Sequence, residues 1–375
     1  MNKKILQTAN RPDYVFIVAV GLLLLFGLIF LASASSVLAF NKFGDSYYYI
    51  KRQLLYGVGP GLILCLAFSR LPYQKLRQLA MPILIVTLFL MLLVFVPGVG
   101  FEYGGARRWI HLFGNSLQPS EILKLAFIIY LSAWLAGKGE QIKKFKEGIL
   151  PFVLITGLTL VFVLLQRDLG TTSVIGVSAF FILLASGANL SHLAGLIGSG
   201  SLLAWLMIKL EPYRAARLTV FLHPELDPQG IGYHINQALL AVGSGGFFGL
   251  GLGYSRQKHA YLPEVTGDSI FAIIAEELGF LFTSIFVMLI GFVLWRGFKI
   301  ARYAPDNFGR YLTVGILVWL GWQSFINIAS MLNLLPLTGV PLPFVSAGGS
   351  ALMIALSGIG IIINVSRQAH WKERL

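Results

Sequence analysis

With one cysteine, Cys65, the chain can close no internal disulfide. Charge is scarce as well: 12% of the 375 residues are Asp, Glu, Lys or Arg and 56% are hydrophobic, which excludes an ordinary soluble domain. Acidic residues are in shorter supply, 16 against 29 basic. In a soluble protein the net charge of +13 would suggest nucleic acid. Here it has a simpler origin, since basic residues concentrate in the cytoplasmic loops of membrane proteins, and no nucleic-acid partner is expected. An internal repeat is also missing, so a transporter built from inverted halves gets no support. His223, His234 and His259 lack metal-ligand spacing. Gly249, Gly251 and Gly253 stand in no strand–helix unit of the kind that binds dinucleotides. Ser346 lacks the flanks of a nucleophile elbow. The first apolar run is too long for a cleavable signal peptide and has no small-residue cleavage site.

What the chain has is hydrophobic runs. Residues 14–34 and 81–96 are long enough, or nearly so, to cross a bilayer. The pattern predicts an all-α polytopic membrane protein of about ten spans: 14–40, 48–68, a third ending at 96, 120–136, 149–165, 171–186, 191–208, 268–296, a ninth ending at 332, and a tenth ending before Arg367. The whole reads as one membrane domain, with spans one to seven over 14–208, a large structured loop over 209–267, spans eight to ten over 268–366 and a tail over 367–375. Five of the six loops and tails on one side carry three or more Lys or Arg. That side is therefore expected to be cytoplasmic, with both termini on it. Four polar elements then converge on the outer face: the loop containing ARRW, the hairpin 166–170, the loop 209–267 and the turn 336–350.

The stretch LPEVTGDSIFAIIAEELG holds the most chemistry. Asp268 sits where a loop becomes a helix, with Thr266 as the expected N-cap. It reads either as an acid stabilising the helix N-terminus, which would favour its charged form, or as a general base at the membrane boundary. Glu276 and Glu277 lie two turns deeper, where carboxylates are costly and a buried polar contact is the plain reading. Glu121 and Lys124, three apart on a helix, can form a structural pair. Arg107 and Arg108 read as headgroup anchors or as pyrophosphate ligands; Arg214 and Arg217 allow the same two readings. Asp168 is a turn residue or the ion partner of one of these arginines. Lys258, Glu264 and Ser346 complete the set of candidate substrate contacts.

LPLTGVPLPFVSAGGSAL resembles the C-terminal signature of the SEDS family (shape, elongation, division and sporulation). ARRWI, QPSEILKL, QRDLGTT, YRAAR and GDSIFAIIAEELG resemble its other motifs, in order, over nearly the whole chain. FLHPELDPQGIGYHINQALLAVGSGG and YSRQKHAYLPE are closer to the division branch than to the elongation branch. The resemblance implies an inverting glycosyltransferase that polymerises lipid II into glycan strands, releasing undecaprenyl pyrophosphate. It also implies a class B penicillin-binding protein as partner, with other membrane proteins of the division machinery, at the septum of a bacterial plasma membrane. The family's catalytic aspartate falls on Asp268. Arg108, Arg214, Arg217 and Lys258 are then candidates for the leaving pyrophosphate, with or without a divalent cation such as Mg2+ or Mn2+. The chain departs from the family pattern at Arg167, Gly267, Ser269 and Ala347, which puts local substrate contacts in question. Two rival readings are a lipid II flippase, with Glu121, Lys124, Glu276 and Glu277 marking its path, and a non-catalytic division scaffold.

Overall fold

Several helices begin where a short acidic side chain can satisfy an orphan backbone amide. Asp13 accepts from the amide of Phe16 at 3.0 Å, Asp168 from Thr171 at 2.9 Å and Asp306 from Gly309 at 2.7 Å. The computed structural model describes residues 11–103, 106–112, 115–210 and 212–369, and of residues 103, 111, 112, 115, 210 and 212–214 the backbone alone. Its helices are α1 (Tyr14–Phe43), α2 (Tyr48–Gln53), α3 (Gly59–Arg70), α4 (Gln74–Leu93), α5 (Pro119–Lys138), α6 (Leu150–Leu165), α7 (Leu169–Ala185), α8 (Leu190–Leu210), α9 (Pro212–Leu222), α10 (Ile231–Ser244), α11 (Ile270–Arg302), α12 (Asn307–Met331) and α13 (Gly349–Gln368). A π-helical turn, Leu54–Val58, joins α2 to α3 in one span.

Among the described residues nine helical spans are long and apolar enough to cross a membrane, and α7 is a shorter apolar helix of 17 residues. Together they agree with the expected all-α membrane protein of about ten spans. The loop after α4 adds a small antiparallel sheet, β1 (Gly100–Tyr103), β2 (Ala106–Leu112) and β3 (Asn115–Leu117), in the order β1-β2-β3. At the centre, α12 packs against α5, α7 and α11, while α13 lies along α3. Much of α4 and α8 is exposed, as a lipid-facing position demands.

The segment 209–267 departs from a loop lying on the outer surface. Two helices, α9 and α10, form within it, and the glycine-rich stretch after them enters the bundle. It does so because α11 is broken: Gly279 has φ 69° and ψ −176°. A broken helix in a membrane leaves backbone groups that water cannot satisfy. Phe280 and Leu281 donate to the carbonyls of Gly246 and Phe247 at 2.9 and 3.1 Å, and Leu250 and Gly251 donate to Glu276 and Glu277, both at 3.0 Å. Only glycine fits the junction, because a Cβ on Gly279 would lie 2.2 Å from the Gly249 nitrogen.

Gly279→Ala is therefore expected to lower the thermal midpoint of the detergent-solubilised protein. Backbone strain alone costs about 1–3 kcal/mol, before the overlap is relieved. An unchanged midpoint would mean that the inserted loop does not hold α11 open.

Candidate functional site

The four polar elements meet at one cavity of about 850 Å³, whose wall includes Arg108, Asp168, Arg217, Glu264, Asp268 and Val340. Asp268 stands at the head of α11, held by its backbone rather than its side chain. Asn327, inside α12, donates its Nδ2 to the carbonyls of Asp268 at 2.7 Å and Val340 at 2.8 Å. Ser346 donates to the carbonyl of Gly267 at 2.6 Å and accepts from the amide of Leu342 at 2.8 Å. The Ala347 amide donates to the Thr266 carbonyl at 2.7 Å. Two demands are met at once: the turn after α12 is closed, and the segment before α11 is clamped onto it.

The Asp268 side chain is left for chemistry. Its Oδ1 is buried without a hydrogen-bond partner, while the residue keeps partial access through the cavity. Burial first, and then the Glu264 carboxylate, push its pKa up from 3.8 to about 6; its own backbone amide, Arg217 and Ser269 pull the other way without prevailing. This corrects the expectation that a helix terminus would favour the charged form. Asp268 precedes the helix, which starts at Ile270, and the N-cap position belongs to Ser269 rather than Thr266. Desolvation then outweighs the helix dipole.

Strand alternation separates the two adjacent arginines of β2. Arg107 is exposed and reaches Glu102 at 3.5 Å, outside the cavity wall. Arg108 lines the cavity, donating to the carbonyls of Gln166 at 3.1 Å and Arg167 at 2.5 Å, with Asp168 at 4.0 Å. Asp168 is both helix cap and ion partner, as it also accepts from the amide and hydroxyl of Thr171. Arg217 donates to the Leu337 carbonyl at 3.0 Å and lines the cavity. Arg214 lies in α9, with its side chain outside the described residues. Arg52, Gln53 and Arg167 also line the cavity, though nothing in the sequence reading singled them out as ligands. A polar glutamine in a span was the available signal for Gln53, which bridges the Gly348 amide at 3.0 Å and the Ser346 carbonyl at 3.2 Å.

Three expected substrate contacts lie elsewhere. Lys258 is buried against Glu277 at 3.0 Å and donates to the Gly253 carbonyl at 2.6 Å, outside the cavity wall. Its charge is spent on keeping Glu277 satisfied at membrane depth. The Ser346 hydroxyl is committed to Gly267 and Leu342, as described, and Arg107 faces away. Glu276 accepts from Ser255 and from the Arg256 amide at 3.0 Å, and Glu277 accepts from Ser33 at 2.7 Å. Glu121 pairs with Lys124 at 2.8 Å, and Lys124 also donates to Gln323 at 2.8 Å. Gln323 in turn donates to the Pro341 carbonyl at 2.9 Å. Among the described residues no three His, Cys, Asp or Glu come together as metal ligands. Mg2+ characteristically binds through one or two carboxylates plus substrate phosphates rather than in such a cluster.

Comparison with known proteins covers nearly the whole chain. The FtsW, RodA and SpoVE family, described as "Cell cycle protein", matches residues 13–371. Stage V sporulation protein E of Bacillus subtilis is 41% identical over 364 residues, covering 96% of this chain and 99% of that one. A probable peptidoglycan glycosyltransferase FtsW of Geobacter metallireducens is 38% identical over 361 residues, covering 96% of each. Among solved structures, the rod shape determining protein RodA of Thermus thermophilus superposes with a TM-score of 0.71 at 28% identity, over 96% of this chain and 98% of that one. A chain from a peptidoglycan synthase complex that coordinates polymerization and crosslinking gives 0.78 at 27% identity, over 96% and 99%.

The buried Lys258–Glu277 pair and the exposed Arg107–Glu102 pair should respond differently to truncation. Lys258→Ala strands a carboxylate and should cost about 3–5 kcal/mol, whereas Arg107→Ala should cost about 0–1 kcal/mol. Thermal unfolding of both variants in one detergent checks this. Equal midpoints would show that Lys258 is not the partner keeping Glu277 in place.

Proposed function

The chain belongs to the FtsW, RodA and SpoVE family of membrane glycosyltransferases of peptidoglycan synthesis, and on that premise we propose that Asp268 is the general base with which it polymerises lipid II. The observation that carries the assignment is the unpartnered, buried Oδ1 of Asp268 at the wall of the cavity. With a pKa of about 6 the carboxylate is mostly ionised at neutral pH yet basic enough to take a proton, which is the match general-base catalysis asks for.

In this mechanism Asp268 removes the proton from the 4-hydroxyl of the acceptor's N-acetylglucosamine. The oxygen attacks the anomeric carbon of the donor's N-acetylmuramic acid from the face opposite the leaving group, inverting that centre. The bond to undecaprenyl pyrophosphate breaks, and the leaving group carries away the electron pair. Arg108 and Arg217 are the charges best suited to receive it, because carbonyl contacts already hold their guanidinium groups at the cavity wall. Tyr56, Pro60 and Met353 give the same cavity an apolar side, which suits the prenyl part of a lipid-linked substrate. Of the charges that a flippase path would use, Glu121, Lys124 and Glu277 are engaged in buried ion pairs and Glu276 is hydrogen-bonded by Ser255 and the Arg256 amide, which favours polymerisation over transport.

The solved synthase complex that coordinates polymerization and crosslinking supports a crosslinking partner; the class B penicillin-binding protein is the partner that the family resemblance implies. Identities of 41% and 38% to a sporulation and a division relative, against 28% to a solved RodA, favour the division and sporulation side, and with it the septum. The basic loops and tails favour cytoplasmic termini, so that the cavity opens outward.

Polymerisation of labelled lipid II by the purified protein with its penicillin-binding partner tests the base. Asp268→Asn should lose about 10²–10⁴-fold in rate, and the wild-type rate should rise with pH to half its plateau near pH 6. Equal polymer from both proteins would remove Asp268 from the mechanism. Stability should move the other way. Because the folded pKa, about 6, lies above the ordinary 3.8, folding favours the protonated acid. That contribution is fully present below pH 3.8 and lost as pH rises through 6, at a cost of about 3 kcal/mol. Asp268→Asn should therefore raise the thermal midpoint at pH 7.5 and bring no gain near pH 4.

A further inference from the structure

Ser269 occupies the N-cap position of α11, where a serine hydroxyl normally accepts a hydrogen bond from the helix. It does not cap: no side-chain bond to the helix forms there. The fully buried hydroxyl donates instead to the carbonyl of Pro263 at 2.7 Å, and lies 2.6 Å from Nε2 of His234 on α10. One hydroxyl carries one proton. With that proton given to Pro263, the imidazole supplies the second hydrogen bond as the Nε2–H tautomer.

The contact joins α10, outside the cavity wall, to the turn that places Asp268 in that wall. The start of α10 is anchored by Asp227, which accepts from the amides of Gly230 at 3.0 Å and Ile231 at 2.8 Å. The turn 263–269 is closed by the Glu264 carbonyl, which accepts from the amides of Gly267 at 2.9 Å and Ser269 at 3.3 Å. Asn327 holds this turn from α12 and Ser346 from the segment before α13. His234 supplies the hold from α10.

We propose that His234 is a positioning residue for Asp268, acting through the hydroxyl of Ser269 to fix the turn that carries the base. The charged groups around this contact are Arg217 on α9, with Glu264 and Asp268 in the turn. Burial, and then Arg217, push the imidazole pKa down to about 4, below that of Asp268. The imidazole stays neutral and directs the turn without adding charge beside the base.

This role rests on Asp268 being the base. The experiment measures kcat and KM for labelled lipid II with the penicillin-binding partner present, for His234→Ala, Ser269→Ala, the double variant and His234→Gln, with Asp268→Asn as control. Each alanine variant should lower kcat about 10- to 100-fold, the scale of a misplaced catalytic group, and leave KM within about twofold. The double variant should be no slower than the worse single one, because both remove the same hydrogen bond. His234→Gln, which keeps an N–H donor, should regain most of the rate, a rescue that holds the test open if an alanine variant fails to fold. A fully active His234→Ala beside an inactive Asp268→Asn would overturn the positioning role and leave the base intact. Additive losses, or a raised KM with kcat unchanged, would overturn it too. Full activity in Asp268→Asn would instead remove the base, and the positioning role with it.

Discussion

A helix that breaks inside a membrane must find partners for the backbone groups it releases, because no water is present to take them. At Gly279 those partners come from residues 246–251, and the consequences run through the structure. Once the glycine-rich segment is drawn in, the chain that follows it is drawn in as well. Its amides at Ser255, Arg256 and Gln257 face Glu276 and Glu277, and Lys258 enters as the counter-charge. Two adjacent carboxylates at this depth would be prohibitive alone; with these partners they anchor the loop. The loop that returns to Asp268 thus starts from a fixed point, and α1 is tied to that point through Ser33.

Depth sorts the charges into two populations. Those inside the bundle are paired and committed: Glu121 with Lys124, and Glu277 with Lys258. At the cavity, guanidinium groups are held mainly by backbone carbonyls, as Arg108 and Arg217 are. A carbonyl orients a guanidinium without neutralising it. Asp168 stands 4.0 Å from Arg108, which lines the cavity and is part-exposed, whereas Lys258 is buried 3.0 Å from Glu277. That difference in depth and distance explains why Lys258, with the right charge in the right stretch of sequence, serves the scaffold while Arg108 lines the cavity.

The apolar runs and their basic flanks made the spans legible, as hydropathy does where every backbone bond must be internal. The motif order also marked the four elements that meet at the cavity, with Asp268 among them. Contacts over long sequence separations were not legible. Nothing local to Asn327 says that its amide meets the carbonyl of Asp268, 59 positions away. Nor does QGIGYHINQ say that His234 meets Ser269. Arg107 and Arg108 looked equivalent because the reading had no strand there, and the period of two that sends them to opposite faces follows only from β2. The N-cap was misassigned to Thr266 for a related reason: its carbonyl is used by Ala347, from a turn 81 positions later.

The state of Asp268 follows from these long-range contacts. A carboxylate with helix amides pointing at it would be stabilised as an anion and would be a poor base. Here the turn ends before the helix begins, Ser269 turns its hydroxyl away from the helix amides, and Asn327 holds the carbonyl rather than the carboxylate. The Asn327 amide and the Ser269 hydroxyl are thereby directed to backbone carbonyls, and Oδ1 is left without a hydrogen bond. The fold carries this at a cost to its own stability, a cost characteristic of functional sites rather than of scaffolding. Filling the vacancy with a hydrogen bond would give a more stable protein and a weaker base.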